Sequence, residues 1–185
     1  MSFFAASRKK IGTASAVTGW VSLMLCLGLL LAAGGGWAAK TAARPSVGKP
    51  APDFALENLV AGGSVHLADF RGKIVLVDFW ASWCLPCRQL MPRIAALKAD
   101  YPDIEVIAVS VDANRDKAIT FQRAVEPSLR TAHDGDHKVA DSYGVERMPS
   151  CFLIDPQGKL RFRHDGYGGG DFDAIERQIR LLLEE

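Results

Sequence analysis

The sequence predicts an α/β domain with a mixed central sheet and helices on both faces, and three observations predict it. Short β-branched runs alternate with helix-length apolar patterns along residues 51–185. One run, Ile74 to Phe79, is apolar on both alternations apart from Asp78, as a central strand covered on both faces should be. Near the C-terminus, Pro156-Gln157-Gly158 joins two strand-like segments as a tight turn. With 185 residues, 49% of them apolar and 23% charged, the chain has ordinary means to bury one core.

The elements come in this order. Residues 11–39 carry no charge, lie just after Arg8, Lys9 and Lys10, and hold a dense apolar stretch from Val21 to Ala33. They read either as a cleaved secretory signal, with Gly36-Trp37-Ala38 as a small-x-small cleavage site, or as an uncleaved anchor helix able to cross about 30 Å of hydrocarbon. Both readings export the rest of the chain. The positive flank favours a cytoplasmic N-terminus, although Lys40, Arg44 and Lys49 on the far side weaken that bias. Cys26 is a bystander in the apolar run, because Leu25 before it is not the small residue a lipoprotein site needs. The expected organisation is thus a signal or anchor at 1–39, a linker at 40–50 and a domain at 51–185.

Charge divides the same way. Residues 1–50 hold six Lys or Arg and no acidic residue, while residues 51–185 hold 16 basic against 21 acidic side chains. A mildly acidic domain has no phosphate-neutralising stripe, so nucleic acid is not an expected partner.

Within the domain, Phe54 to Leu56 and Ser64 to Leu67 flank Ala61-Gly62-Gly63 as a hairpin. After the strand at 74–79, Leu90, Ile94 and Leu97 mark a helix that Pro92 should kink. Ile104 to Val111 is a second buried strand, Arg115 to Val125 a helix, and His137 to Tyr143 a short one. Ser150 to Asp155 and Lys159 to His164 form the antiparallel pair. Phe172, Ile175, Ile179 and Leu182 define a terminal amphipathic helix with Asp171 as its N-cap.

The chemistry lies in Trp83-Cys84-Leu85-Pro86-Cys87. Two cysteines three apart at a strand-to-helix junction share one side of the first turn, where a Cα separation of about 5 to 6 Å suits a disulfide. Cys84 meets the free N–H groups and positive dipole end that favour a thiolate, and Pro86 takes an early position that tolerates a missing donor. Lowering a thiol pKa from about 8.5 to about 7 raises the thiolate fraction at pH 7 from a few per cent to roughly half. Cys84 is therefore the expected attacking sulfur and Cys87, one turn deeper, the resolving one.

Competing readings of the pair are weaker. A zinc site could draw on His133 and His137, but 45 residues separate Cys87 from His133, against the usual 12 to 15 or so. Haem attachment needs His after the second Cys, where Arg88 stands. A structural disulfide over so short a loop would constrain little chain entropy. Asp78, a carboxylate inside an apolar strand, should either have its pKa raised by burial and exchange a proton near neutral pH, or accept a hydrogen bond at the sheet's end. The histidines at 66, 133, 137 and 164 read as surface residues, and Asp134 to Lys138 as a solvated loop.

Val77-Asp78-Phe79-Trp80-Ala81-Ser82-Trp83-Cys84-Leu85-Pro86-Cys87, with Pro92 five residues on, resembles the thioredoxin superfamily, specifically its exported, often membrane-tethered TlpA/ResA-like branch. Tyr143 to Asp155 resembles the strand bearing that family's proline. Ala51-Pro52-Asp53-Phe54, with Leu67, Asp69 and Phe70 to Lys73, resembles an N-terminal extension shared with peroxiredoxins. The likeness covers roughly residues 48–183.

The resemblance implies a thioredoxin-like fold with an N-terminal hairpin extension, no separate cofactor, and thiol:disulfide exchange. It makes Asp78 the buried base for Cys87. It implies a cis Pro149 facing the cysteines, a free Met148 backbone for an extended substrate, and a docking groove around Trp83, Leu85 and Pro86. The implied partners are protein disulfide or dithiol substrates and a membrane electron donor of the DsbD/CcdA type. The implied place is the outer side of a bacterial cytoplasmic membrane, with residues 11–39 in the membrane if uncleaved. The implied direction is reduction, for example in cytochrome c maturation.

Departures from the family pattern are Leu85 in place of thioredoxin's glycine and Cys151 two residues after Pro149. Cys151 reads as a small buried apolar residue or, failing that, an accessory thiol. Two other functions use the same cysteines: a thiol peroxidase, although Ala81 stands where such enzymes carry Thr or Ser, and a metal-binding chaperone.

Overall fold

A computed structural model describes residues 44–168 and 171–185; the signal or anchor expected at 1–39, and the linker up to residue 43, lie outside them. In chain order the elements are β1 (Ala55–Asn58), β2 (Ser64–His66), a 3-10 turn (Leu67–Phe70), β3 (Val75–Trp80), α1 (Leu85–Asp100), β4 (Glu105–Ser110), α2 (Arg115–Val125), β5 (Arg130–His133), α3 (Lys138–Tyr143), β6 (Ser150–Ile154), β7 (Leu160–Asp165) and α4 (Asp171–Leu183). Among the described residues no helix is long and apolar enough to cross a membrane.

The strands form one mixed sheet in the order β2-β1-β5-β4-β3-β6-β7. β3, β4 and β5 run parallel, whereas β1, β2, β6 and β7 join by antiparallel pairing. Every residue of β3 and β4 is buried, because strands flank them on both sides and helices cover both faces. Alternation then divides β3. Phe79 packs against Tyr143 of α3 and Phe152 of β6, with ring centroids 5.3 and 5.6 Å away. Trp80, on the other face, stacks on Phe121 of α2 at 5.1 Å, and the Arg88 guanidinium of α1 lies over the same ring.

Asp78 shares the Trp80 face by the two-residue period, so it lies under the layer of α1, α2 and α4. α4 joins that layer by burying Ile175, Ile179 and Leu182 and by setting Phe172 under Arg93 of α1, 3.8 Å from the ring centroid. The opposite face is closed by α3 and the segment before β1. There the Tyr143 hydroxyl donates to the Pro52 carbonyl at 2.8 Å and its ring meets Phe54 edge-on. Gly144 ends α3 at φ 64°, a left-handed position where its N–H reaches back to the Ala140 and Asp141 carbonyls.

The structure adds one strand and changes two local readings. Arg130–His133 is a strand, held between β4 and β1, although the tetrapeptide alone carries no strand pattern. Asp134 is buried rather than solvated: its carboxylate accepts from the backbone N–H groups of Val139 and Ala140 and so starts α3. His133 and His164 are half-buried and hydrogen-bonded, to the Asp112 carbonyl at 2.7 Å and to Gln178 Oε1 at 2.8 Å.

Candidate active site

β3 ends at Trp80, and the next four residues carry the chain to the first turn of α1. Cys84 is the N-cap of that helix, in extended conformation, with its own N–H bonded to the Ala81 carbonyl at 3.0 Å. Pro86 stands in the first turn, where no intrahelical donor is lost. Cys84 and Cys87 are joined in a disulfide with Cα atoms 5.3 Å apart. The Cys87 N–H points at Cys84 Sγ from 3.2 Å, a donor placed to stabilise negative charge on that sulfur. Cys84 retains 4% exposure and Cys87 none, so of the two residues only Cys84 meets solvent.

Two large apolar side chains beside them face solvent. Trp83 and Leu85 are 71% and 70% exposed. Trp83 and Met148 line one groove of about 300 Å³, together with Val111 and Val145 and with the charged Asp141, Glu146 and Arg147. Met148–Pro149 is a cis peptide bond, as the family likeness implies, and Pro149 is buried at the start of β6.

Asp78 is fully buried on the face of β3 that α1, α2 and α4 cover. Burial pushes its carboxyl up from an ordinary 3.8 to about 7, against the pull of a hydrogen bond from Cys151. Cys151 Sγ donates to Asp78 Oδ1 at 3.2 Å, while Oδ2 has no partner among the described residues. Reading Cys151 as simply apolar missed this bond. Its burial and small size were visible in sequence, but its partner is set by strand register.

The sequence reading also missed Asp112. This nearly buried carboxylate, just past β4, accepts from Ser82 N at 2.8 Å, Ser82 Oγ at 2.7 Å and Ser110 Oγ at 3.1 Å. It clamps the loop that presents Cys84. An acidic residue at the C-terminal end of a central strand, where sites in open α/β sheets gather, was the available signal. Among the described residues, no three His, Cys, Asp or Glu side chains converge as metal ligands.

The AhpC/TSA family profile matches residues 47–163. The chain belongs to the AhpC/TSA family. Its fold is thioredoxin-like: a Chlorobium tepidum structure, provisionally named as the thiol:disulfide interchange protein DsbE, superposes with TM-score 0.72 at 40% identity, covering 75% of this chain and 99% of that one. An exposed lipoprotein thioredoxin from Streptococcus pneumoniae matches with TM-score 0.62 at 28% identity, over 71% of this chain and all of that one.

By sequence, this AhpC/TSA chain is similar to the thiol-disulfide oxidoreductase ResA of Oceanobacillus iheyensis, 35% identical over 119 residues, and to ResA of Bacillus subtilis, 33% identical over 117. Each match takes 62% of this chain and spans 62% and 65% of the two relatives' lengths.

Proposed function

We propose that this protein is a thiol:disulfide oxidoreductase that reduces protein disulfides on the outer side of a bacterial cytoplasmic membrane. The observation that carries the reading is the Cys84–Cys87 disulfide at the tip of α1, with its outer sulfur facing a backbone donor and an apolar surface. Its likeness to ResA proteins and to the DsbE-named structure supports the same reading.

In the dithiol state the Cys84 thiolate attacks one sulfur of a target disulfide. A mixed disulfide forms and the target's first thiolate leaves, taking up a proton. Asp78, ionised, accepts the Cys87 proton, and the Cys87 thiolate attacks Cys84 Sγ. The target's second thiolate departs, Cys84–Cys87 closes, and two electrons have moved to the target. Trp83, Leu85 and Pro86 contact the target's side chains, while the Met148 backbone, held by Pro149, pairs with its extended chain.

A membrane reductase of the DsbD/CcdA type returns the electrons, and residues 1–39 export or anchor the domain at 51–185. Cytochrome c maturation is the pathway class that fits this direction.

Insulin reduction by the purified protein tests the reading, with the pair poised in glutathione buffers. Wild type should turn over and Cys84→Ser should fall to background. Full activity in Cys84→Ser overturns the assignment of the nucleophile. Stoichiometric peroxide consumption without insulin reduction would replace it with a peroxidase.

A further inference from the structure

β3 and β6 run antiparallel with Asp78 directly opposite Cys151. Opposed residues in such a pair project to one face with Cβ atoms about 5 Å apart, and here that proximity becomes the Sγ to Oδ1 bond of 3.2 Å. Other elements packed on this face supply no substitute. β4 sets Ala108 beside Asp78, and α2 contributes the apolar Phe121. β7 sets His164 opposite Cys151, but its Nε2 is engaged by Gln178 of α4. α4 also brings Asp171, whose charge acts on Cys151. α1 brings Cys87, in the disulfide, and Arg88, which is occupied over Phe121. Among the described residues the thiol is the one donor the carboxylate has.

We propose that Cys151 is a positioning residue for the proton step, its thiol donating the hydrogen bond that keeps the Asp78 carboxylate ionised and ready to accept the Cys87 proton. The inference rests on the reading of Asp78 as the base for Cys87. Cys151 keeps its own proton throughout. Burial and the neighbouring Asp78 charge push its thiol well above the ordinary range, so it remains a donor across the whole interval in which Asp78 titrates.

A hydrogen bond to an ionised group shifts its titration by about one pH unit. With Asp78 half-ionised near pH 7, losing the donor would leave roughly a tenth ionised there, and a step that needs the carboxylate would slow about fivefold.

The test tracks Asp78 directly, by carbon-13 NMR of the full oxidised chain in detergent with labelled aspartate carboxyls, the resonance assigned through Asp78→Asn. Wild type should titrate near pH 7. Cys151→Val, and Cys151→Ala as a second variant that needs no extra space, should move the inflection up by about one unit. Cys151→Ser keeps a donor and should stay close to wild type. The pH profile of insulin reduction should move with the resonance. An unmoved inflection in both Cys151→Val and Cys151→Ala, or an equal shift in Cys151→Ser, overturns the assignment to Cys151 alone. An unchanged pH profile in Asp78→Asn instead removes the base itself, and the role of Cys151 with it.

Discussion

Two carboxylates lie buried along the central strands, one inside β3 and one just past β4, and the protein supplies them with donors very differently. Asp112 sits at the open end of β4 and is surrounded by donors, receiving the Ser82 N–H and the hydroxyls of Ser82 and Ser110. Asp78 sits in the middle of β3 and receives one thiol. Burial depth alone does not separate them, at 4% and 0% exposure. The supply of donors does. A carboxylate with three good hydrogen bonds is a rigid strut that ties the Cys84 loop to the sheet, whereas one left nearly bare has its proton affinity lifted to about 7, where it can take and return a proton.

The largest effect that would sharpen this contrast is thermodynamic. Folding raises the Asp78 pKa from 3.8 to about 7, so the folded state holds the proton more tightly than the unfolded chain. The stability this confers is fully present below about pH 4 and is lost as pH rises through about 7, a swing of about 4 kcal/mol. Urea unfolding of wild type against Asp78→Asn across that window should show the difference between them growing with pH in favour of the variant. A constant difference would mean that Asp78 is not held protonated by the fold.

Next comes the strut. Asp112→Ala leaves three donors, one buried and two half-buried, without their acceptor and should cost about 3 kcal/mol, read as a lower urea midpoint at constant slope. If Asp112→Ala costs no more than an ordinary surface change, the two carboxylates are not different in kind. Tyr143→Phe, on the opposite face of the sheet, removes only the hydroxyl that donates to Pro52 and should cost about 1 kcal/mol with insulin reduction unaffected. The smallest stability effect belongs to Trp83→Ala. This ring is mostly exposed, so its loss should leave the unfolding free energy within about 0.5 kcal/mol of wild type while raising KM for a protein disulfide.

Several features were legible because they depend on residues near one another in the chain. The Cys84–Cys87 spacing, the Cys84 cap and the Pro86 position all fall within one helical turn. Arg115–Val125 reads as a helix from its apolar spacing, and its Asn114 cap, bonded to the Asp116 and Lys117 N–H groups, is equally local. The buried run of β3 announces a central strand, and a carboxylate within it announces an unusual proton affinity. β5 was not legible, since Arg130–His133 has no alternation of its own and becomes a strand only between β1 and β4. Asp134 likewise looked like one charge among several, and only the chain's return placed its oxygens on the start of α3.

By itself, then, the amino-acid order determined where a reactive sulfur pair could form and that a carboxylate would be buried within the strand preceding it, because helix starts and apolar runs are written over a few consecutive positions. Which groups attend that carboxylate was decided only when β6, arriving 73 residues later, took its antiparallel register on β3 and laid a thiol against Asp78. A slip of one residue would have turned Cys151 to the other face, and no local pattern in either strand encodes that alignment.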